Sequence, residues 1–264
     1  MKVLNQEKHP SEFFQVLRQS QSRALLLDYD GTLAPFQVKR DNAFPYPGVA
    51  EALKQIIQKG ATRLVVVSGR RPDELIPLLG LKQPPEIWGS HGGERLLPDG
   101  TYQKGTLCGQ DRRALEATAA WMAEMGWGPH LERKPFGLAL HWRGMRIEEK
   151  KNMQDNALER VPFLVAGTGL SLQAFDGGLE LRAPGITKGE VVETILAEMQ
   201  MDTVAAYLGD DLTDEDAFAA LKTHSPRSIG VLVREELRKT KADLWLRPPD
   251  ELLDFFRRWQ QAVL

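Results

Sequence analysis

Short apolar blocks without internal alternation recur along the chain, separated by stretches with helical spacing. The blocks at 24–27 (Ala-Leu-Leu-Leu), 64–67 (Leu-Val-Val-Val) and 204–208 (Val-Ala-Ala-Tyr-Leu) are each bounded by polar or turn-forming residues. Such runs suit strands covered on both faces, which is the situation inside a parallel sheet. Val49, Leu53, Ile56 and Ile57 precede one block, and Val191, Val192, Ile195, Leu196 and Met199 precede another. Their spacing of three to four lines up one face of a helix. Strand and helix therefore alternate, and the pattern predicts an α/β fold around a Rossmann-like parallel sheet. After Pro248-Pro249, the stripe Leu252, Leu253, Phe256 and Trp259 predicts a last helix packed on the core.

The middle of the chain breaks the alternation. A helical stretch at about 111–125 is followed by strand-like runs at 131–134 and 137–142, a second helix, and further runs at 170–175 and 179–181. Asp176-Gly177-Gly178 between the last two supplies residues tolerant of positive φ, a hairpin signal. This pattern predicts an α+β insert over 108–183, with 1–107 and 184–264 forming one catalytic core. No internal repeat or low-complexity tract is visible.

Composition narrows the function classes. In 264 residues, hydrophobic positions make up 42% and charged ones 27%, which excludes intrinsic disorder. The 34 Lys and Arg against 36 Asp and Glu leave a formal charge of -2, so no global basic field draws in nucleic acid or an anionic membrane. Pairs such as Arg112-Arg113 and Arg257-Arg258 read as solvated helix faces. Charges at Lys2, Glu7 and Lys8 interrupt any signal-peptide core, and no run approaches the length of a membrane span. The lone cysteine, Cys108, suits a reducing compartment and reads as a small buried side chain. Together these features point to a cytoplasmic protein.

The candidate chemistry sits where the predicted strands end. The first strand runs into DYDGT at 28–32, placing the carboxylates of Asp28 and Asp30 at the edge of a parallel sheet where ligands bind. The second ends in Ser68-Gly69-Arg70, a hydroxyl and a glycine that frees backbone N–H groups to face an anion. Lys188 stands at a helix start, where an ammonium can neutralise phosphate charge. The third strand ends in GDDLTDED at 209–216. Asp-Gly is also common turn chemistry, and an acidic run can merely cap a helix. Adjacent carboxylates nevertheless repel unless a cation lies between them, and Mg²⁺ suits a few carboxylates plus substrate phosphate.

In this order the four strings closely resemble the motifs of the haloacid dehalogenase superfamily of aspartyl-phosphate phosphatases, over nearly the whole chain. Within it, GDDLTDEDAF at 209–218, Ser68-Gly69-Arg70, GSHG at 89–92 and the tail residues Thr240, Ala242 and Pro249 resemble the trehalose-6-phosphate phosphatase family. One departure is Gly185-Ile186-Thr187 before Lys188, where a polar or acidic residue is more usual.

The resemblance implies a haloacid-dehalogenase core with an inserted cap that sets specificity, and Mg²⁺-dependent hydrolysis of trehalose 6-phosphate. It implies Asp28 as nucleophile and Asp30 as acid and base. Ser68, Gly69 and Lys188 would hold phosphate. Mg²⁺ would be held by Asp28, the main chain of Asp30 and Asp210, with Asp211 and Asp214 outside them. Arg70, His91, Glu132, Lys134, Arg143 and Glu180 would contact substrate, and a functional pairing with trehalose-6-phosphate synthase is implied. From charge alone, Glu132, Lys134, Arg143 and Glu180 read as exposed, although Glu132 and Lys134 share a strand face. His91 also reads as a satisfied loop or core histidine. Phosphatases of sucrose phosphate or of glucosyl- or mannosyl-3-phosphoglycerate share the core chemistry. A phosphomutase or a non-catalytic partner of a synthase are further alternatives.

Overall fold

The computed structural model describes residues 1–37, 39–175 and 177–263. In chain order its elements begin with β1 (Lys2–Val3), α1 (Pro10–Gln19), β2 (Arg23–Asp28), α2 (Val49–Lys59), β3 (Arg63–Val67) and α3 (Pro72–Leu79). There follow β4 (Glu86–Gly89), β5 (Glu94–Leu96), β6 (Tyr102–Lys104), α4 (Gly109–Glu124), β7 (Leu131–Lys134), β8 (Gly137–His141) and α5 (Ile147–Leu164). The chain closes with β9 (Ser171–Phe175), β10 (Gly178–Arg182), α6 (Lys188–Ala197), β11 (Val204–Gly209), α7 (Glu215–His224), β12 (Ile229–Val233), β13 (Leu244–Leu246) and α8 (Asp250–Ala262). Among the described residues, no helix is long and apolar enough to cross a membrane.

Two compact units result. One comprises Met1–Gln103 and the chain from Thr187 onward, the other Lys104–Ile186. The sequence placed the insert at 108–183. The wider span follows packing, because Leu107 and Ile186 both lie against the second unit's apolar core.

The first unit is built on a sheet of order β1-β13-β12-β11-β2-β3-β4-β5-β6. From β13 through β4 neighbouring strands are parallel, while β1 and β5 pair antiparallel at the flanks. The absence of alternation in the central strands has a direct cause. Leu25, Leu27, Leu64, Val66, Ala206 and Leu208 belong to a core with Phe13, Leu53, Phe255, Phe256 and Trp259 from α1, α2 and α8. Ala24, Leu26, Val65, Val67, Ala205 and Tyr207 belong to another with Val192, Ile195, Phe218 and Leu221 from α6 and α7. Both faces are dry, so every position is apolar. The chain continues from β2 to β3 and β4 on one side, and from β11 to β12 and β13 on the other. The reversal at β2 and β11 opens a crevice at their carboxyl ends, the usual ligand position in such sheets.

The second unit carries a sheet of order β7-β8-β10-β9. Leu138, Leu140, Leu179 and Leu181 pack with Leu115, Ala119 and Met122 of α4 and with Met153, Ala157 and Val161 of α5. The hairpin between β9 and β10 forms as its glycines indicate, with Gly177 at φ +129°. Asp176 lies outside the described residues. Cys108 corrects an expectation: it is exposed, because it caps α4, its Sγ accepting the Asp111 N–H at 3.4 Å. Capping requires a side-chain acceptor at the helix mouth, and that place is on the surface.

Away from the crevice, an ionic network ties β3, β4 and β5 to the end of α6. Arg63 and Arg95 each bind both Glu86 and Glu198, at 2.6–2.9 Å. Hydrogen bonds from Arg95 and Arg63 hold the Glu198 carboxyl down at about 2. An acid depressed in the folded protein stabilises the fold above its unfolded pKa, and that contribution is lost as pH falls toward the folded one. Glu198→Gln is therefore expected to lower unfolding free energy at pH 7 by no more than about 1 kcal/mol, since Glu198 is partly exposed. Urea denaturation at pH 7 and pH 2 checks this: the wild-type advantage should be present at the first and largely lost at the second.

Candidate active site

β2 delivers Asp28 to the carboxyl edge of its sheet, where the carboxylate is buried. Its Oδ1 accepts a hydrogen bond from Lys188 Nζ at 2.6 Å and its Oδ2 one from Thr32 Oγ1 at 3.3 Å. Lys188 begins α6, whose N-cap Thr187 accepts the Glu190 N–H while Glu190 reaches back to the Thr187 N–H. This capping box fixes the helix mouth and the lysine with it. The ammonium also donates to Asp214 Oδ1 at 2.7 Å, so one buried cation lies between two carboxylates.

β11 ends beside β2 and continues into Asp210, Asp211 and a 3₁₀ turn, Leu212–Asp214. Asp214 is fully buried with both oxygens engaged. Oδ1 receives Lys188 and the Tyr207 hydroxyl at 2.7 Å, and Oδ2 receives the N–H groups of Asp210 and Asp211 at 3.0 and 2.8 Å. It therefore braces the loop. Asp210 is different: it is buried, and its Oδ1 has no hydrogen-bond partner among the described residues. Ligand oxygens of Asp28, Asp210 and Asp214 all lie within 4.8 Å of one another.

Three buried carboxylates against one ammonium leave a deficit of positive charge. Burial, together with Asp214 and Asp30, pushes the Asp28 carboxyl up to about 7 despite Lys188. Burial and the Asp28 and Asp214 charges push Asp210 well above the carboxylate range. Burial lowers Lys188, but the two carboxylates outweigh it and raise the ammonium above its ordinary value. Tyr207 is raised by burial and by Asp214, so its phenol stays a donor. A hard divalent cation fits these residues, because the orphaned Asp210 Oδ1 and the Asp28 carboxylate offer oxygen ligands in a region short of positive charge.

The loop after Asp28 is shaped for close approach. Gly31 adopts φ +88°, and a Cβ there would fall 2.2 Å from Asp210 Oδ2. Asp30 turns its carboxylate to Arg70, whose Nε and Nη2 donate at 2.7 and 2.6 Å, while Nη1 donates to the Arg40 carbonyl at 2.9 Å. Arg70, expected to contact substrate, is thus buried and committed to Asp30 in this arrangement.

β3 ends in the buried Ser68, whose Oγ accepts the Arg70 N–H at 3.1 Å. His91 is buried in the left-handed region at φ 59°, following Ser90 at φ 50°. Consecutive non-glycine residues there are strained. The His91 N–H bonds the Ser68 carbonyl at 2.8 Å and the Ser90 N–H the Arg70 carbonyl at 2.9 Å, which stitches the two loops together. The imidazole presses on Gly69, where a Cβ would lie 2.5 Å from Nε2.

The second unit collects other expected residues. Register aligns Glu132 and Glu180 opposite Ala139, and Lys134 and Arg182 opposite Gly137, on one face of the sheet. Glu180 accepts from Lys134 at 2.8 Å and from Arg182 at 2.7 Å. His141 pairs with Glu132 at 2.8 Å. Reading these as exposed charges fails for Glu180, which is buried between two cations, and for Glu132 and Lys134, which are half-buried. Arg143 is exposed and lies over Gly177.

Sequence reading missed Tyr207, Thr32 and Arg182 as parts of these clusters. Tyr207 carried a signal, since a phenol inside an apolar strand needs a buried acceptor.

The family profile described as Trehalose-phosphatase matches residues 26–248. A trehalose-phosphate phosphatase of Mycobacterium leprae is 32% identical over 258 residues, covering 89% of this chain and 57% of that protein. The chain thus spans little more than half the length of that relative. The C-terminal domain of trehalose-6-phosphate phosphatase from C. albicans superposes with a TM-score of 0.81 at 21% identity, covering 99% of both chains. A haloacid dehalogenase-like hydrolase from B. subtilis superposes with a TM-score of 0.63 at 14% identity, covering 89% of this chain and 98% of its own. The fold is that of the haloacid dehalogenase hydrolases.

Gly31→Ala is expected to destabilise the protein by at least about 1 kcal/mol, because alanine is strained at this φ and its methyl overlaps Asp210. Denaturant midpoints measure the stability loss. Mg²⁺ titration of the same variant should show weaker binding than wild type.

Proposed function

The chain belongs to the trehalose-phosphatase family, and we propose that it hydrolyses trehalose 6-phosphate to trehalose and phosphate through an aspartyl phosphate on Asp28. The observation that carries this reading is a buried carboxylate at the sheet edge, oriented through both oxygens by Lys188 and Thr32, beside the orphaned oxygen of Asp210.

Asp28 attacks phosphorus in line, the bond from phosphorus to the sugar oxygen breaks, and that oxygen takes a proton from Asp30. Asp30 then accepts a proton from water as the water oxygen attacks phosphorus and Asp28 leaves. A general acid must carry a proton, so this role requires the Arg70 contacts to loosen when substrate binds. Ser68, Gly69 and Lys188 hold the phosphate oxygens, and His91 is a further substrate contact. Asp28, the Asp30 carbonyl and Asp210 would hold Mg²⁺, with Asp211 and Asp214 outside them. When bound, the ion supplies screening between nucleophile and phosphate. Glu132, Lys134, Arg143 and Glu180 are assigned to the sugar hydroxyls, with Arg70 a further substrate contact. A wrong sugar would forgo these hydrogen bonds. In a reaction sequence, trehalose-6-phosphate synthase would supply the substrate.

The test is phosphate release with Mg²⁺ from trehalose 6-phosphate, beside sucrose 6-phosphate, glucosyl- and mannosyl-3-phosphoglycerate and glucose 6-phosphate. Preference for trehalose 6-phosphate is expected. Turnover of another member alone discards the substrate, and no turnover of any by folded protein favours a regulatory role.

Asp28→Asn is expected to abolish turnover, because it removes the nucleophile, and Asp30→Asn to reduce kcat by at least about 10²-fold, the low end of a positioned acid–base contribution. Stopped or continuous phosphate assays read this, with unchanged circular dichroism showing an intact fold. Glu132→Gln and Glu180→Gln should lose far more activity on trehalose 6-phosphate than on a small aryl phosphate. Equal losses on both substrates would remove these residues from sugar recognition.

A further inference from the structure

A guanidinium that no motif contains donates to the main chain of the acidic loop. Arg238 stands in the irregular segment between β12 and β13. Its Nε and Nη2 each donate to the Asp210 carbonyl at 3.2 Å, and Nη2 also donates to the Asp211 carbonyl at 2.6 Å. Arg234 Nη1 adds a donor to the Asp210 carbonyl at 3.3 Å. The remaining nitrogen, Nη1, donates to the Lys239 carbonyl at 2.9 Å and to Glu215 Oε1. Glu215 begins α7, and its other oxygen accepts the Lys241 N–H at 2.7 Å. Arg238 is mostly buried, with 16% of its side chain exposed.

This arrangement fixes one peptide group from both ends. The carbonyl of Asp210 and the N–H of Asp211 belong to the same peptide and point in opposite directions in the trans form. The carbonyl is held by Arg238, and the N–H is held by Asp214 Oδ2 at 2.8 Å. Rotation of that plane would swing the Cα–Cβ bond of Asp210, and it would break hydrogen bonds on both sides. A planar guanidinium presents its donors in a fixed fork, so it holds the two successive carbonyls in one geometry. The Oδ1 of the Asp210 side chain held this way has no hydrogen-bond partner among the described residues.

We propose that Arg238 is a positioning residue for the cation site, clamping the Asp210–Asp211 peptide so that the Asp210 carboxylate is preset for a divalent ion. Glu215 is the anchor that orients the clamp. The inference rests on the metal reading above and goes beyond it to a residue that contacts neither substrate nor metal.

The experiment is titration of chelator-stripped, full-length protein with Mg²⁺ alone, followed by calorimetry and by the rise in melting temperature. Arg238→Met is expected to weaken Mg²⁺ binding by about 10- to 100-fold, the range typical for partners that orient a metal ligand. Arg238→Lys keeps the charge but not the fork, so it should also bind more weakly than wild type. Glu215→Gln, which loosens the anchor, should shift affinity in the same direction. Melting without metal and circular dichroism establish that each variant is folded. Wild-type affinity in folded Arg238→Met overturns the proposal. Should that variant not fold, wild-type affinity in both Arg238→Lys and Glu215→Gln overturns it. Failure of the wild-type protein to bind Mg²⁺ contradicts the metal reading itself, and the inference falls with it.

Discussion

The buried ammonium of Lys188 between Asp28 and Asp214 is the contact on which the site depends. Removing charged groups from water is costly, and it is tolerated here because each member of the set has defined partners. Lys188 comes from the mouth of a capped helix, Asp28 from the central strand, and Asp214 from a turn after the neighbouring strand. Without the lysine, carboxylates delivered by adjacent parallel strands would repel across the sheet edge. With it, two are compensated, and Asp210 keeps an oxygen that has no donor among the described residues. The fold thus creates a local shortage of positive charge that a divalent cation would relieve.

Close approaches and hydrogen bonds constrain the main chain around the site. Gly31 has no side chain because Asp210 occupies the space, and Gly69 has none because His91 does. Asp214 spends both oxygens on bracing. Ser90 and His91 accept strained backbone angles to stitch the Gly89–Gly92 region to Ser68 and Arg70. Strain of this kind persists only where surrounding hydrogen bonds over-determine it, and here they do. A site of this type is preorganised by residues that never touch the reacting atoms.

Much of this was legible in the sequence, and the limits have physical causes. Strand blocks such as 64–67 and 204–208 announce themselves because both sheet faces are dry, and the acidic strings follow them at the strand ends. The insert was visible as a change of pattern, but its edges were not, because Leu107 and Ile186 join its core through tertiary packing alone. Cys108 was misread because burial statistics for a free thiol do not anticipate a cap at an exposed helix mouth. Glu180 looked like a surface charge until the registers of β7 and β10 on β8 placed Lys134 beside it, with Arg182 next along its own strand. Arg238 lies more than twenty residues from the loop it holds, and no local pattern records such a contact.

The reading of Asp28 as covalent acceptor is tested most directly by rapid acid quenching during turnover of trehalose 6-phosphate, followed by mass spectrometry of the peptide that contains Asp28. A phosphoryl group on Asp28 in the wild-type protein, absent from Asp28→Asn, is the expected result. Phosphate release at the wild-type rate by Asp28→Asn, or a phosphoryl group trapped on another residue, would contradict it.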